Sequence, residues 1–207
     1  MTRLICEMRV SLVFLNLEGR KMANSNITKK ALANAMKELV AQMPFEKITV
    51  ADICTKCDMH RKSFYYHFQD KYDLVNWIFD TEITAVVQHQ DVLPTPQQRW
   101  IFFEQACNYF YENKDFYRKA LRVQGQNTLG EHMQEYLRLP LQKQLTYIWG
   151  EEIIDDFILQ FFVDAILLCI LRWLLEKDCM PPEVFVGKLK TIVKLNEKRI
   201  LLEAQEL

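Results

Sequence analysis

Apolar residues recur at helical spacing from Thr28 to near the end of the chain. In residues 28–43 they lie three and four positions apart, with Lys and Glu residues between them. This spacing predicts an amphipathic helix. Pro44 is expected to end it, because proline has no amide hydrogen to donate in a helix interior. Since the 207 residues include only five Gly and six Pro, we predict an all-α fold.

Two short helices are predicted next, Thr49–Cys57 and His60–Phe68. The first begins at a threonine, a residue type that commonly caps helix N-termini. Asp58 falls where the chain must turn, and aspartate tolerates left-handed backbone geometry better than most residues. Asp70 is predicted to cap the following helix, with Asp73 completing a variant of the capping box. Two short helices joined by a tight turn form a helix-turn-helix.

Longer amphipathic segments follow a linker at residues 90–97. They are Gln97–Asn113, Asp115–Val123, Thr128–Ile148, Glu151–Lys177 and Pro182–Gln205. Pro140 is expected to kink or split the third. We therefore predict an N-terminal three-helix domain of the helix-turn-helix type at residues 26–70 and a separate helical body at residues 71–207. Residues 1–25 are predicted to be an extension, either disordered or a start-site artefact that precedes Met22.

The balance of charge is local rather than global. The whole chain carries a net charge of −1, but between Thr28 and Lys71 eight Lys and Arg residues accompany only five Asp and Glu residues. This segment is therefore basic and the rest of the chain is acidic. Such asymmetry indicates a basic module that binds an anion, attached to an acidic body.

The six cysteines are scattered along a chain without a recognisable secretory signal, which favours free thiols in a reducing cytoplasm. Cys54, Cys57 and His60 resemble half of a metal site, but a structural zinc site needs four ligands. We predict that the two cysteines are buried helix residues, and we expect no metal or other cofactor. The common catalytic motifs are also missing, so the sequence does not favour an enzyme.

The apolar segment at residues 157–175 has about the length of a membrane-spanning helix. It contains Gln160, Asp164 and Arg172, and such residues are unfavourable in the middle of a bilayer. We therefore expect no membrane association, and we predict a helix that is buried on most sides.

The stretch MHRKSFYYHF at residues 59–68 places positive charge at the start of a predicted helix. The helix dipole disfavours His60, Arg61 and Lys62 at that end. In a helix-turn-helix the same end of the second helix meets the DNA major groove, where cations are stabilised by phosphates. Phe64 and Phe68 are predicted to point inward, which leaves the intervening Tyr-Tyr-His on the outer faces.

The segment ITVADICTKCDMHRKSFYYHFQDKYDLV, residues 48–75, resembles the DNA-binding signature of the TetR/AcrR family of bacterial transcription regulators. The resemblance implies a homodimer that binds a double-stranded DNA operator, with a DNA-binding domain at residues 26–70 and a helical regulatory and dimerisation domain at residues 71–207. It also implies phosphate contacts from Thr49, Ser63, Tyr66, His67 and Lys71, and base contacts from His60, Arg61, Lys62 and Tyr65. Three positions depart from the family pattern: Asp58 replaces a turn glycine, Lys62 replaces a small residue, and Ala51 is too short to reach a base.

Two stretches of the predicted body resemble parts of that family. Residues 170–189 are similar to the helices that build the dimer interface, which suits a four-helix bundle between two subunits. The run FFEQACNYFYENKDFYRKAL, residues 102–121, is similar to regulators of dihydroxyacetone kinase operons, which implies control by a small-molecule effector or a kinase-like coregulator protein. The many aromatic residues of the body either line an effector pocket or fill the core. A protein-interaction module that has lost specific DNA binding remains an alternative.

Overall fold

The computed structural model describes residues 25–87, 95–122 and 128–203, and these ranges contain helices and no strand. Helix α1 spans residues 25–42. The other helices are α2 (Val50–Lys56), α3 (Arg61–Tyr65), α4 (Lys71–Val87), α5 (Pro96–Glu112), α6 (Lys114–Leu121), α7 (Leu129–Trp149), α8 (Asp156–Leu175) and α9 (Pro182–Glu203), with 3-10 turns at Phe45–Lys47 and Glu151–Ile153. The all-α prediction is confirmed. The expectations for residues 1–24, for most of the linker at residues 90–97 and for the last residues of the predicted segments Asp115–Val123 and Pro182–Gln205 lie outside the described residues.

The chain divides into two compact units between Val75 and Asn76. The first unit has a dense apolar core to which every helix contributes. Its most deeply buried side chains are Leu32, Met36, Val40, Phe45, Ile48, Ile53, Phe64 and Leu74. The helical spacing of the apolar positions in α1 therefore predicted its buried face correctly.

The two side-chain caps predicted in this unit, at Thr49 and Asp70, are both present. The Thr49 hydroxyl accepts from the Asp52 amide at 3.2 Å, and the Asp52 carboxylate accepts from the Thr49 amide at 2.9 Å, which forms a complete capping box. The Asp70 carboxylate accepts from the amide of Asp73 at 2.9 Å. The Asp73 carboxylate accepts from the amide of Gln69 at 2.9 Å. In an ordinary capping box it would accept from the amide of the cap residue itself, which here is Asp70.

In the second unit, α7 packs along α8, α5 packs against α9, and α6 contacts α5, α7 and α8. Leu145, Leu159 and Val163 are buried where α7 meets α8, and partly buried side chains from both helices surround them. At the other end of α8, the Trp173 ring stacks on Phe185 with centroids 4.5 Å apart.

One predicted helix boundary is wrong, and the split that Pro140 could cause is absent. The predicted helix Glu151–Lys177 is interrupted after the 3-10 turn, because the Asp155 side chain accepts from the Ile158 amide at 2.8 Å and starts α8 anew. Pro140 does not split α7, which continues through it to Trp149. Pro140 is exposed, so water can reach the carbonyl that loses its amide partner.

The prediction that α8 is buried on most sides is also wrong. Within the described residues, α8 is the one helix that is long and apolar enough to cross a membrane by length and composition, and 33% of its most apolar window is buried. It buries one face and exposes Phe157, Phe161 and Leu168 on another.

The charge in the middle of α8 has hydrogen-bond partners. Asp164 accepts from the side-chain amides of Gln134 on α7 and Gln160 on α8, at 2.8 and 2.9 Å. Arg138 of α7 donates to Gln160 at 2.8 Å and pairs with Asp156 at 2.8 Å. This polar network accounts for the acidic residue in the apolar segment, because a carboxylate that is partly removed from water needs donors.

Candidate nucleic-acid interface

The turn between α2 and α3 is closed by backbone hydrogen bonds. The Met59 amide donates to the Cys54 carbonyl at 2.9 Å, and Asp58 adopts a φ of 54°, in the left-handed region. Asp58 therefore takes the conformation that glycine would adopt most easily, as its position in the turn predicted. The Cys57 thiol donates to the Ile53 carbonyl at 3.2 Å, and burial raises the pKa of both Cys54 and Cys57.

Helix α3 starts without the usual stabilising groups. Its N-cap, His60, makes no side-chain capping hydrogen bond, and its first turn contains no acidic residue. Arg61 and Lys62 are exposed, and neither forms an ion pair within the part of the chain that the structure describes. The two cations are thus directed to solvent at the end of the helix where the dipole disfavours them.

The aromatic cluster at the end of α3 and directly after it divides by face, as the sequence predicted for its two phenylalanines and two tyrosines. Phe64 and Phe68 are buried, with 0% and 3% of their surface exposed. Tyr65 and Tyr66 are 59% and 82% exposed. His67 is half-buried, and its Nδ1 atom lies 3.5 Å from the hydroxyl of Ser25. The exposed phenols carry polar tips that can reach a phosphate.

Thr49 and Lys71, which are also predicted phosphate contacts, have hydrogen-bond partners within the protein. The Thr49 hydroxyl donates to the Asp52 carboxylate at 2.6 Å while it caps α2. The Lys71 ammonium donates to three backbone carbonyls, those of Phe45, Glu46 and Ile48, at 2.9, 3.2 and 2.8 Å. A phosphate contact from Lys71 would replace one of these bonds, since an ammonium group has three donors. Ser63 is half-buried on α3, beside the exposed cations.

Sequence reasoning missed one cation beside α3. Lys29 of α1 lies over the Phe68 ring, with its ammonium 5.7 Å from the ring centroid. Burial lowers the pKa of His67, and the nearby Lys29 lowers it further. Because Lys29 lies over Phe68, directly after α3, the basic surface includes a residue of α1. No local pattern could reveal it, because tertiary packing brings it to α3.

Two family descriptions match the chain in the order of its two units. "Bacterial regulatory proteins, tetR family" matches residues 32–78, and "Transcriptional regulator C-terminal region" of the TetR type matches residues 98–195. The chain therefore belongs to the TetR family of transcriptional regulators, with a helix-turn-helix DNA-binding domain at its N-terminal end.

A curated relative points to a subgroup of this family. The chain is 30% identical over 114 residues to the HTH-type dhaKLM operon transcriptional activator DhaS of Lactococcus lactis subsp. lactis (strain IL1403). The matched segment covers 55% of this chain and 57% of that protein. This match agrees with the resemblance noted in residues 102–121.

Solved structures share the fold. A TetR regulator from Streptococcus agalactiae 2603V is similar with a TM-score of 0.63 and 22% identity, over 85% of this chain and 98% of that one. The dihydroxyacetone kinase operon activator DhaS gives a TM-score of 0.55 and 21% identity, over 85% and 97%. NalD of Pseudomonas aeruginosa, a repressor of the MexAB-OprM efflux pump, gives 0.53 and 13%, over 79% and 93%.

Proposed function

We propose that this protein is a sequence-specific regulator that binds an inverted-repeat operator in double-stranded DNA as a homodimer. The main support for this proposal comes from Arg61 and Lys62 at the start of α3. Both side chains are exposed, and neither has an ion-pair partner among the described residues. A helix start of this kind is unfavourable beside water and becomes favourable beside a phosphate backbone. Such a protein acts in the cytoplasm and needs no catalytic activity.

The proposed division of labour assigns DNA binding to residues 26–70 and regulation to residues 71–207. The boundary between compact units after Val75 lies close to this division. Within the first part we assign base contacts to His60, Arg61, Lys62 and Tyr65. Phosphate contacts are assigned to Ser63, Tyr66 and His67 and, where their present hydrogen bonds allow, to Thr49 and Lys71.

The homodimer is supported by apolar side chains that the second unit leaves in solvent. Phe157, Phe161 and Leu168 of α8 are 80%, 59% and 61% exposed, and Val184 and Ile192 of α9 are 44% and 55% exposed. A surface of this kind on two helices suits a bundle of four helices between two subunits.

Control through the helical body is supported by a half-buried hydrogen bond between two of its helices. The Tyr109 hydroxyl of α5 donates to the Glu82 carboxylate of α4, beside the buried Tyr117 ring of α6. Burial raises the pKa of Tyr109, so the phenol remains a neutral donor. We infer that a small-molecule effector or a kinase-like coregulator acts on this body. The similarity to DhaS makes dihydroxyacetone and dihydroxyacetone kinase subunits the first candidates to test.

Selection from random-sequence duplexes tests the proposed operator. The purified protein should enrich an inverted repeat, and the affinity for it should fall steeply as salt is raised. The double variant R61A/K62A should lose the enrichment while remaining folded. Weak binding to all sequences alike would contradict the proposal and favour a protein-interaction module. Addition of dihydroxyacetone, or of the kinase subunits, to the operator complex tests the control by an effector or partner.

A further inference from the structure

Helix α8 presents an outward apolar stripe. Phe157, Phe161 and Leu168 are separated by four and seven residues, which places them on one face of the helix. The opposite face is buried and consists of Leu159, Val163, Leu167, Ile170 and Leu174. The packing within one subunit therefore leaves this apolar stripe exposed.

Two charged residues flank Leu168 symmetrically. Arg172 lies four residues after it, is exposed, and has no ion-pair partner in the described ranges. Asp164 lies four residues before it. Both amide donors of the polar network reach Oδ1 of Asp164, whereas no described residue donates to its Oδ2 atom. The face thus carries one cation and one available carboxylate oxygen, equally far from an exposed leucine.

We propose that α8 packs antiparallel against α8 of a second copy, with the two-fold axis beside Leu168 and each Arg172 paired with Asp164 of the other copy. This inference rests on the homodimer proposed above and adds the register of its contact. In an isologous interface every contact occurs twice. If Arg172 of one copy contacts Asp164 of the other, Asp164 of the first copy also contacts Arg172 of the second. An antiparallel pair centred on Leu168 brings together both opposite charges and both leucines.

The charges favour a second copy over other occupants of this face. An apolar partner would leave Arg172 buried without an anion, which is strongly unfavourable. A bilayer would impose the same penalty on Arg172 and Asp164. In a second copy, Asp164 is the anion that Arg172 lacks. Because of the two-fold axis, this ion pair forms twice in one interface.

Charge exchange tests the pairing. We expect R172D to raise the dimer dissociation constant at least tenfold in sedimentation equilibrium, because it places two acidic residues together. D164R should do the same by placing two arginines together. The double variant D164R/R172D should return to within about threefold of the wild-type constant. If the double variant dissociates as readily as the single ones while the wild type is a dimer, the register is wrong. R172A, which leaves the polar network of Asp164 intact, should weaken the dimer less than R172D.

Cysteine cross-linking tests the position of the axis without altering Asp164. In a C6S/C169S background, L168C should form a disulfide-linked dimer on mild oxidation. F161C is the matched control, since antiparallel helices would separate its two copies by about 21 Å along the axis at 1.5 Å per residue. Faster cross-linking through F161C than through L168C would overturn the proposed axis.

Failure of this inference can be told from failure of the proposed function. A wild-type dimer that is insensitive to charge exchange and cross-links through other positions disproves the register alone. A wild-type protein that stays monomeric at all concentrations disproves the homodimer, and the register with it. Selection of duplex DNA reports on operator recognition separately in either case.

Discussion

The ammonium nitrogen of Lys71 lies 2.8 Å from the carbonyl oxygen of Ile48, two elements earlier in the chain. The same group donates to the carbonyls of Phe45 and Glu46 and lies 4.7 Å from the centroid of the Phe45 ring. Lys71 opens α4, and Ile48 directly precedes the cap of α2. One side chain therefore holds the segment that leads into the helix-turn-helix.

This relationship predicts that Lys71 acts mainly on the stability of the first unit. K71M should lower the free energy of unfolding by about 1.5–3 kcal/mol, because half-buried carbonyls lose a charged donor. Denaturant unfolding, followed by circular dichroism, measures this change. If Lys71 instead serves only a phosphate, stability will be unchanged, and the salt dependence of operator affinity will flatten by about one unit.

Arg61 is predicted to read a base. R61A should relax the preference at one base pair and cost about 1–3 kcal/mol at the preferred operator, since a bidentate arginine–guanine contact discriminates by that amount. Competition between the selected operator and single-base variants gives the measurement. K177A is the matched control, because it removes an exposed cation from the second unit. Equal loss on every operator variant would reassign Arg61 to a phosphate.

Tyr66 is predicted to contribute through its hydroxyl alone. Its side chain is 82% exposed, so Y66F should leave the folded structure and its stability unchanged. Loss of one hydrogen bond to a charged phosphate should weaken binding by about 1.5–3 kcal/mol on all sequences alike. Titration of specific and non-specific duplexes side by side separates this outcome from a base contact, which would weaken only the specific complex.

Local rules predicted the features that local chemistry determines. The cap at Thr49, the left-handed turn at Asp58 and the burial of Phe64 each follow from residues within one or two helical turns. The sequence could not reveal the contact of Lys71 with Ile48 or the approach of Lys29 to α3, because both depend on packing between distant segments. The apolar composition of α8 misled the prediction because it does not separate a buried face from one left for another molecule.

Arg118 is predicted to hold α6 to the end of α8. Its guanidinium donates to the carbonyls of Leu174, Glu176 and Lys177. R118A should therefore destabilise the second unit by about 1.5–3 kcal/mol or more, because carbonyls at a helix end lose a charged donor. R118K should restore part of this stability, since an ammonium cannot reproduce the planar fork of donors. Thermal unfolding of both variants beside K177A makes the comparison.

His67 is predicted to make stability and DNA affinity respond to pH in opposite directions. Burial, and then Lys29, holds the pKa of His67 in the folded protein below its ordinary value of 6.5. As the pH falls through 6.5, the unfolded chain takes up the proton first, so the free energy of unfolding decreases until the folded pKa is passed.

A phosphate beside His67 would favour the imidazolium form, so operator affinity should increase over the same pH range. H67Q should remove this contribution from both curves, which are measured by denaturant unfolding and by operator titration between pH 5 and 8. K29M is a second test of the same assignment. It should raise the pKa of His67 in the folded protein and so reduce the loss of stability at low pH. A stability curve that H67Q leaves unchanged would show that another group titrates there. An affinity that is flat with pH in the wild type would remove His67 from the DNA contacts.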